Sequence, residues 1–258
     1  GRLALAYARE SANEMPSEIR PQILLSLAEQ RFGNSMRAEH ILYNLLGKNP
    51  DNLDVHLALA RANEISGHWP AARAWYSKAL SLKPADPALI SKIALMYWLE
   101  GDAENAIAEF DKALAINPQD AAAWNDKGII FLAQGKGKQA LLAFDQAITL
   151  KPGYDDALLN RANYNASRGK YQKALADCDA GLVANPNNAK LLLARGQIYR
   201  DQGKLSHALV DFEQAYEFEK RDPHVLNELA WFLATCPRKD LRDGHRAVIL
   251  AERGAISQ

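Results

Sequence analysis

The chain is poor in cysteine, has no long apolar run, and carries no excess charge of either sign. Its 258 residues include two cysteines, Cys178 and Cys236, too few for a disulfide framework and silent on redox compartment. No stretch approaches the roughly 20 consecutive apolar residues that span a bilayer as a helix, so no membrane insertion by this segment is expected. Lys plus Arg and Asp plus Glu are both 31. A neutral chain has no global field to draw it onto nucleic acid or an anionic membrane, which argues against nucleic-acid binding. Catalytic signatures are missing as well: no Walker loop, no H-E-x-x-H, no paired C-x-x-C. The six histidines (His40, His56, His68, His207, His224 and His245) are scattered, which suits surface or packing roles rather than a metal site. No catalytic residue, metal ligand or cofactor is therefore expected.

What the sequence does contain is a period of 34 residues that does not slip. Gly33, Gly67, Gly101, Gly135, Gly169 and Gly203 form one column. Ala38, Ala72, Ala106, Ala140, Ala174 and Ala208 form a second, and Pro16, Pro50, Pro84, Pro118, Pro152 and Pro186 a third. Such periods announce repeat architectures, in which one supersecondary unit recurs and buries its apolar face on its neighbours.

Each column has a physical reason. The glycines separate two amphipathic stretches, where a helix must end in a left-handed turn. The alanines fall early in the second stretch, where a small side chain lets two helices approach. The prolines end that second helix. A polar cap then opens the next one: Asn52, Asp86, Asp120, Asn188 or Asp222. Pro87 and Pro223 follow at the first helical position. A fourth column is small (Ser26, Ala60, Ala94, Gly128, Ala162, Gly196, Ala230) and a fifth is mostly bulky (Leu42, Tyr76, Phe110, Phe144, Cys178, Phe212). The small residue is expected to receive the bulky one where helices touch.

These residues resemble the tetratricopeptide repeat family. The clearest unit carries Trp124, Gly128, Phe131, Ala140, Phe144, Ala147 and Pro152 on that family's signature positions. The resemblance implies an all-α, right-handed α-solenoid of stacked antiparallel helix pairs. Units are expected over 19–52, 53–86, 87–120, 121–154, 155–188 and 189–222. Residues 1–18 would supply the second helix of a preceding partial repeat. Residues 223–258 would form an irregular terminal repeat, with the alanine column delayed to Ala247 by a longer loop. Leu3, Leu5 and Tyr7 at one end and the stretch from Ala247 to Ile256 at the other have no polar cap. The expectation is either a segment of a larger protein or self-association through uncapped ends.

Several local features have plain readings. Gly135-Lys-Gly137-Lys-Gln-Ala140 matches a dinucleotide fingerprint, but a helix precedes it where a strand is required, so it reads as an inter-helix turn. Cys178 stands in the bulky column and reads as a buried, inert thiol. Cys236 lies in the long loop and is expected to be the more reachable of the two. Lys127, Arg161 and Arg195 form a basic column. Its simplest reading is that stems pack between helices while the heads meet acids such as Asp177 and Asp211.

By the resemblance, the first helix of each pair lines a concave groove, with positions two, five, nine and twelve of each unit facing inward. In the middle units this points to Arg61, Ser91, Leu95, Trp98, Asn125, Ile129, Leu132, Asn163, Gln197 and Arg200. Leu95, Trp98, Ile129 and Leu132 are expected to make an apolar strip of the kind that marks interaction sites. The amides of Asn125, Asn163 and Gln197 would suit an extended peptide. The family's two-carboxylate clamp for acidic chaperone tails is incomplete, with only Asn160 and Lys190 in register. The expected function is a non-enzymatic scaffold that binds a peptide or protein segment in the groove. The alternative is a recognition arm of a larger enzyme or of a bacterial envelope machine, for polysaccharide export or cytochrome maturation. The stretch from Leu229 to Pro237, followed by Arg242-Asp-Gly244, resembles the closing repeat of many bacterial multi-repeat proteins, and the occurrence of similar arrays in bacterial polysaccharide-export and cytochrome-maturation proteins favours the envelope over the cytoplasm.

Overall fold

The structure is a computed structural model that describes residues 2–256, of which Arg2 and Ile256 are described in backbone only. Among the described residues there are helices and no strands. Helices α1 (Arg2–Glu14), α2 (Ile19–Arg31), α3 (Ser35–Lys48), α4 (Leu53–Ile65), α5 (Trp69–Leu82), α6 (Pro87–Leu99) and α7 (Ala103–Ile116) belong to one compact unit, residues 1–119. The second unit, residues 120–258, holds α8 (Ala121–Ala133), α9 (Gly137–Leu150), α10 (Asp155–Ser167), α11 (Tyr171–Ala184), α12 (Ala189–Asp201), α13 (Leu205–Phe218), α14 (Pro223–Thr235) and α15 (Gly244–Ile256).

Within each unit consecutive helices pair as hairpins: α2 with α3, α4 with α5, α6 with α7, then α8 with α9, α10 with α11, α12 with α13 and α14 with α15. The six glycines of the turn column all adopt φ between 69° and 87°, the left-handed region that a Cβ makes costly. Asn52, Asp86, Asp120, Asn188 and Asp222 each accept a backbone N–H of the first helical turn. Such caps contribute about 1 kcal/mol each.

The fourth and fifth columns meet as expected. A Cβ placed on Gly128 would lie 2.5 Å from the Phe144 ring, and one on Gly196 would lie 2.6 Å from Phe212. Both rings are fully buried, and burying each contributes about 2–3 kcal/mol. Phe212 also meets Phe232 edge-on, with centroids 5.4 Å apart. A different contact is made at Gly137, the residue of the dinucleotide-like pattern. There the Tyr164 hydroxyl occupies the space a Cβ would take.

The last hairpin departs from the repeat as its sequence suggests. A short 3-10 turn, Lys239–Leu241, lengthens its loop, and Ala247 takes the buried position on α15. Cys236 requires a correction. Although it is a loop residue it is 3% exposed, packed into the apolar cluster of Phe232, Leu233 and Leu250. The chain turns inward at the end of α14, and the Arg242 side chain closes over it by donating to the Cys236 carbonyl. Cys178 is buried in its column, where desolvation pushes its thiol pKa up to about 12.

Candidate functional site

Positions two, five, nine and twelve of a helix repeat at intervals of three, four and three, and so share one face. The structure places the ten residues selected on that rule in three environments. Arg61 and Asn163 are exposed. Ser91, Leu95, Trp98, Ile129, Leu132, Gln197 and Arg200 are half-buried. Leu95 packs against the core of the α4–α5–α6 region rather than standing free. The Ser91 hydroxyl oxygen is enclosed without a partner.

Asn125 is a correction. It is 3% exposed, and its amide is used inside the second unit. Its Oδ1 accepts from Asn160 Nδ2 at 2.9 Å, and its Nδ2 donates to Asp126 at 3.2 Å. A buried amide with both functions engaged offers nothing to a passing peptide.

The basic column resolves in favour of packing. Arg161 donates to both oxygens of Asp177 (3.1 and 2.6 Å) and to Asp145 at 2.5 Å. Arg195 repeats the arrangement one unit on, with Asp211 (2.9 and 2.7 Å) and Asp179 (2.7 Å). Each guanidinium thus joins an acid sixteen residues ahead to one sixteen behind. Lys127, in the same column, lies over the rings of Trp124 and Phe131.

The selected face gains a member that the sequence argument left out. Trp231 is position nine of the last repeat, and 54% of it is exposed. Arg200 lies over its indole, 5.0 Å from the centroid, and reaches Glu228 at 3.4 Å. Trp231 stands beside fully buried Phe232 on the same helix, so its exposure follows from its helical phase. Position nine of the second unit therefore reads Ile129, Asn163, Gln197, Trp231. The same rule, carried one repeat further, would have found the tryptophan.

Where the turns of the second unit meet, a cavity of about 690 Å³ is lined by Tyr154, Asp155, Asn188, Lys190, Glu219 and their neighbours. Asp155 Oδ2 accepts from Asn185 and Asn188 at 3.0 and 2.7 Å. Burial and the charges of Asp156, Asp126 and Asp120 push the Tyr154 phenol up to about 12. Lys190 lines this cavity while its supposed clamp partner Asn160 is engaged with Asn125, so the two do not act together. Among the described residues no group of three or more His, Cys, Asp and Glu side chains is placed to hold a metal ion, and no helix is long and apolar enough to cross a membrane.

Comparison with known proteins agrees with this geometry. A family model described as tetratricopeptide repeat matches residues 23–87, 92–155, 125–189 and 159–225. A search of curated proteins returns no significant match. Among solved structures, a tetratricopeptide repeat protein from Parabacteroides merdae is similar over 92% of this chain and 98% of its own, at 18% identity and a TM-score of 0.65. PilW, described as a type IV pilus biogenesis factor, is similar over 83% of this chain and 97% of its own, at 20% identity and a TM-score of 0.66. The APC/C hetero-tetramer Cut9-Hcn1 matches 98% of this chain at 16% identity and a TM-score of 0.65, while this chain spans 49% of the matched one. At these identities the likeness concerns the fold alone.

Proposed function

Because the chain belongs to the tetratricopeptide repeat family, we propose that it is a non-enzymatic scaffold holding a peptide or protein segment on the face built from positions two, five, nine and twelve of its first helices. The observation that carries this reading is Trp231. It is a large aromatic side chain kept in solvent beneath a guanidinium, next to Phe232, which is fully buried on the same helix. Tryptophan and arginine are the residue types that most often dominate binding energy at interfaces. Asn163 and Gln197 precede Trp231 in the same register and still present their amides.

The test is affinity capture with the whole chain, followed by titration of the captured partner against Trp231→Ala and Trp98→Ala. Truncating an interface tryptophan of this kind costs about 2 kcal/mol or more, roughly thirtyfold in Kd. Far-UV helicity should be unchanged. Equal affinity for the wild type and both variants would remove this face from consideration, and turnover of a small substrate by the chain would overturn the scaffold reading itself.

A bacterial origin is favoured by the terminal segment from Leu229 to Gly244, with its resemblance to closing repeats of bacterial arrays, and a cell-envelope placement by the similar arrays of bacterial export and cytochrome-maturation proteins. The likeness in fold to a pilus biogenesis factor points the same way. In that reading the chain is the recognition arm of an assembly machine. Fractionation of cells expressing the natural reading frame decides it.

A further inference from the structure

In the first unit the same face forms a cleft of about 310 Å³ between α2 and α4. Its floor is apolar, made largely by Leu24, Leu27 and Leu57. Leu24 is 60% exposed. Its rim is charged, with Arg20, Asp54 and Arg61, all exposed. The volume lies at the small end of ligand sites, about 300–1,000 Å³. That suits a few side chains of a peptide rather than a folded partner.

The two ends of the cleft differ in charge. Arg20 and Asp54 both occupy position two of their repeats, so that end is nearly neutral. Arg61 occupies position nine, where the residue opposite on α2 is Leu27. Among the described residues neither Arg20 nor Arg61 makes an ion pair or hydrogen bond, whereas Arg9, Arg73, Arg161, Arg195 and Arg246, which also sit against packed helices, each hold a carboxylate. Glu64, one turn beyond Arg61, does not neutralise it. That carboxylate accepts from the Tyr76 hydroxyl and from Lys92 Nζ at 3.1 Å. An apolar floor thus ends at a guanidinium whose donors face solvent, the group best shaped to take a carboxylate through two parallel hydrogen bonds.

We propose that this cleft binds a peptide segment in which an apolar side chain lies within two residues of a carboxylate. The apolar group sits on Leu24, Leu27 and Leu57, and the carboxylate is held by Arg61. The spacing follows from helix geometry. Leu57 and Arg61 are four residues apart on α4, about 6 Å along its axis, and an extended peptide covers that distance in about two residues. The proposal rests on the first-helix face being the binding face and adds the chemistry of what its first unit selects.

The experiment is fluorescence anisotropy of the full chain with a labelled, C-terminally amidated hexapeptide, Gly-Ser-Leu-Gly-Glu-Gly. A second peptide has Gln in place of Glu. A third, Gly-Ser-Gly-Leu-Gly, has a free C-terminus, so its carboxylate is the terminal one. Binding of the first peptide assigns a side-chain carboxylate, and binding of the third alone assigns a chain terminus. In the first case the Gln peptide, and in both cases the Arg61→Gln protein, should bind about tenfold more weakly. Leu24→Asp should have a similar effect, and Arg31→Gln, an exposed arginine outside the cleft, should have none. Measurable and equal binding of the Glu and Gln peptides, no effect of Arg61→Gln, or no binding of the first and third peptides at millimolar concentration overturns the proposal. If the captured partner loses affinity with Trp231→Ala but not with Arg61→Gln, the scaffold reading stands and the assignment of this cleft falls.

Discussion

Glycine-to-alanine substitution should have opposite signs at two helical positions of this chain. In both cases alanine gains helix propensity, up to about 1 kcal/mol. At Gly47, near the end of α3, a new Cβ meets nothing within 4 Å, so the gain is kept, at about 0.5 kcal/mol so close to the helix terminus. At Gly196, in α12, the same methyl would lie 2.6 Å from one carbon of the Phe212 ring and 2.9 Å from the next. That ring is fully buried and held edge-on by Phe232, so it has no free volume into which to retreat. Overpacking of this kind costs about 1–3 kcal/mol. The net effect is a destabilisation of about 0.5–2 kcal/mol, and the clash wins. Repeat arrays need not unfold in two states, so the suitable readout is local. Amide hydrogen exchange in α12 and α13 should accelerate in Gly196→Ala, and exchange in α3 should slow in Gly47→Ala. Adding Phe212→Leu to Gly196→Ala should recover part of the loss. The reasoning has a built-in challenge, because Ala94 and Phe110 fill the same two columns and coexist. If Gly196→Ala leaves exchange unchanged or slows it, the hairpin relaxes to the spacing that an alanine repeat tolerates. Close approach at Gly196 would then not be a constraint.

Three further outcomes are expected. Asp211→Ala leaves the half-buried Arg195 with Asp179 alone, and should cost about 2 kcal/mol, read as a lower urea midpoint; the cost stays below that of a fully buried pair because solvent reaches the guanidinium. Glu29 is fully buried and held below its ordinary pKa by Arg9, assisted by Asn34. A depressed carboxylate contributes stability above its unfolded value that is lost as pH falls through the folded one, so protection of α1 should drop below about pH 4; Glu29→Gln should abolish that pH dependence. Neither Cys178 nor Cys236 should react with a thiol reagent in the native chain, and both should react in urea. Rapid native labelling at Cys236 would show that the α14–α15 loop does not enclose it.

The repeat was legible because its determinants are local. A cap, a left-handed glycine, a terminating proline and a small residue facing a bulky one are each decided within about twenty residues, and the structure realises them at Asp86, Gly101, Gly128 and Phe144. The proposed face was legible in register but not in availability. Asn125 occupies a groove position, yet Asn160 of the following repeat takes its carbonyl oxygen, an event that no single repeat reveals. Trp231 lies in the repeat whose alanine column is displaced, yet the first helix of that repeat keeps strict phase. Cys236 misled because a loop position suggests exposure, whereas the chain there turns into the core formed with α15. Arg20 and Arg61 stand out by their place on the rim of an apolar cleft, which the sequence pattern does not show.

The seventh position of each repeat shows how one fold is held together in two ways. It reads Leu25, Leu59 and Ile93 in the first unit, all buried, and Lys127, Arg161 and Arg195 in the second, before returning to Leu229. The apolar version contributes burial and little directional preference, since leucine packs against any apolar neighbour. The charged version contributes little net stability, because desolvating a guanidinium and a carboxylate offsets most of their attraction. What it adds is direction. Arg195 satisfies Asp211 with two donors and Asp179 with a third, and a hairpin shifted by a turn would break all three bonds while leaving buried Asp211 unpaired. Register is therefore enforced electrostatically in the unit that carries Trp231. The first unit has leucine and isoleucine at that position, where burial alone holds the hairpins together.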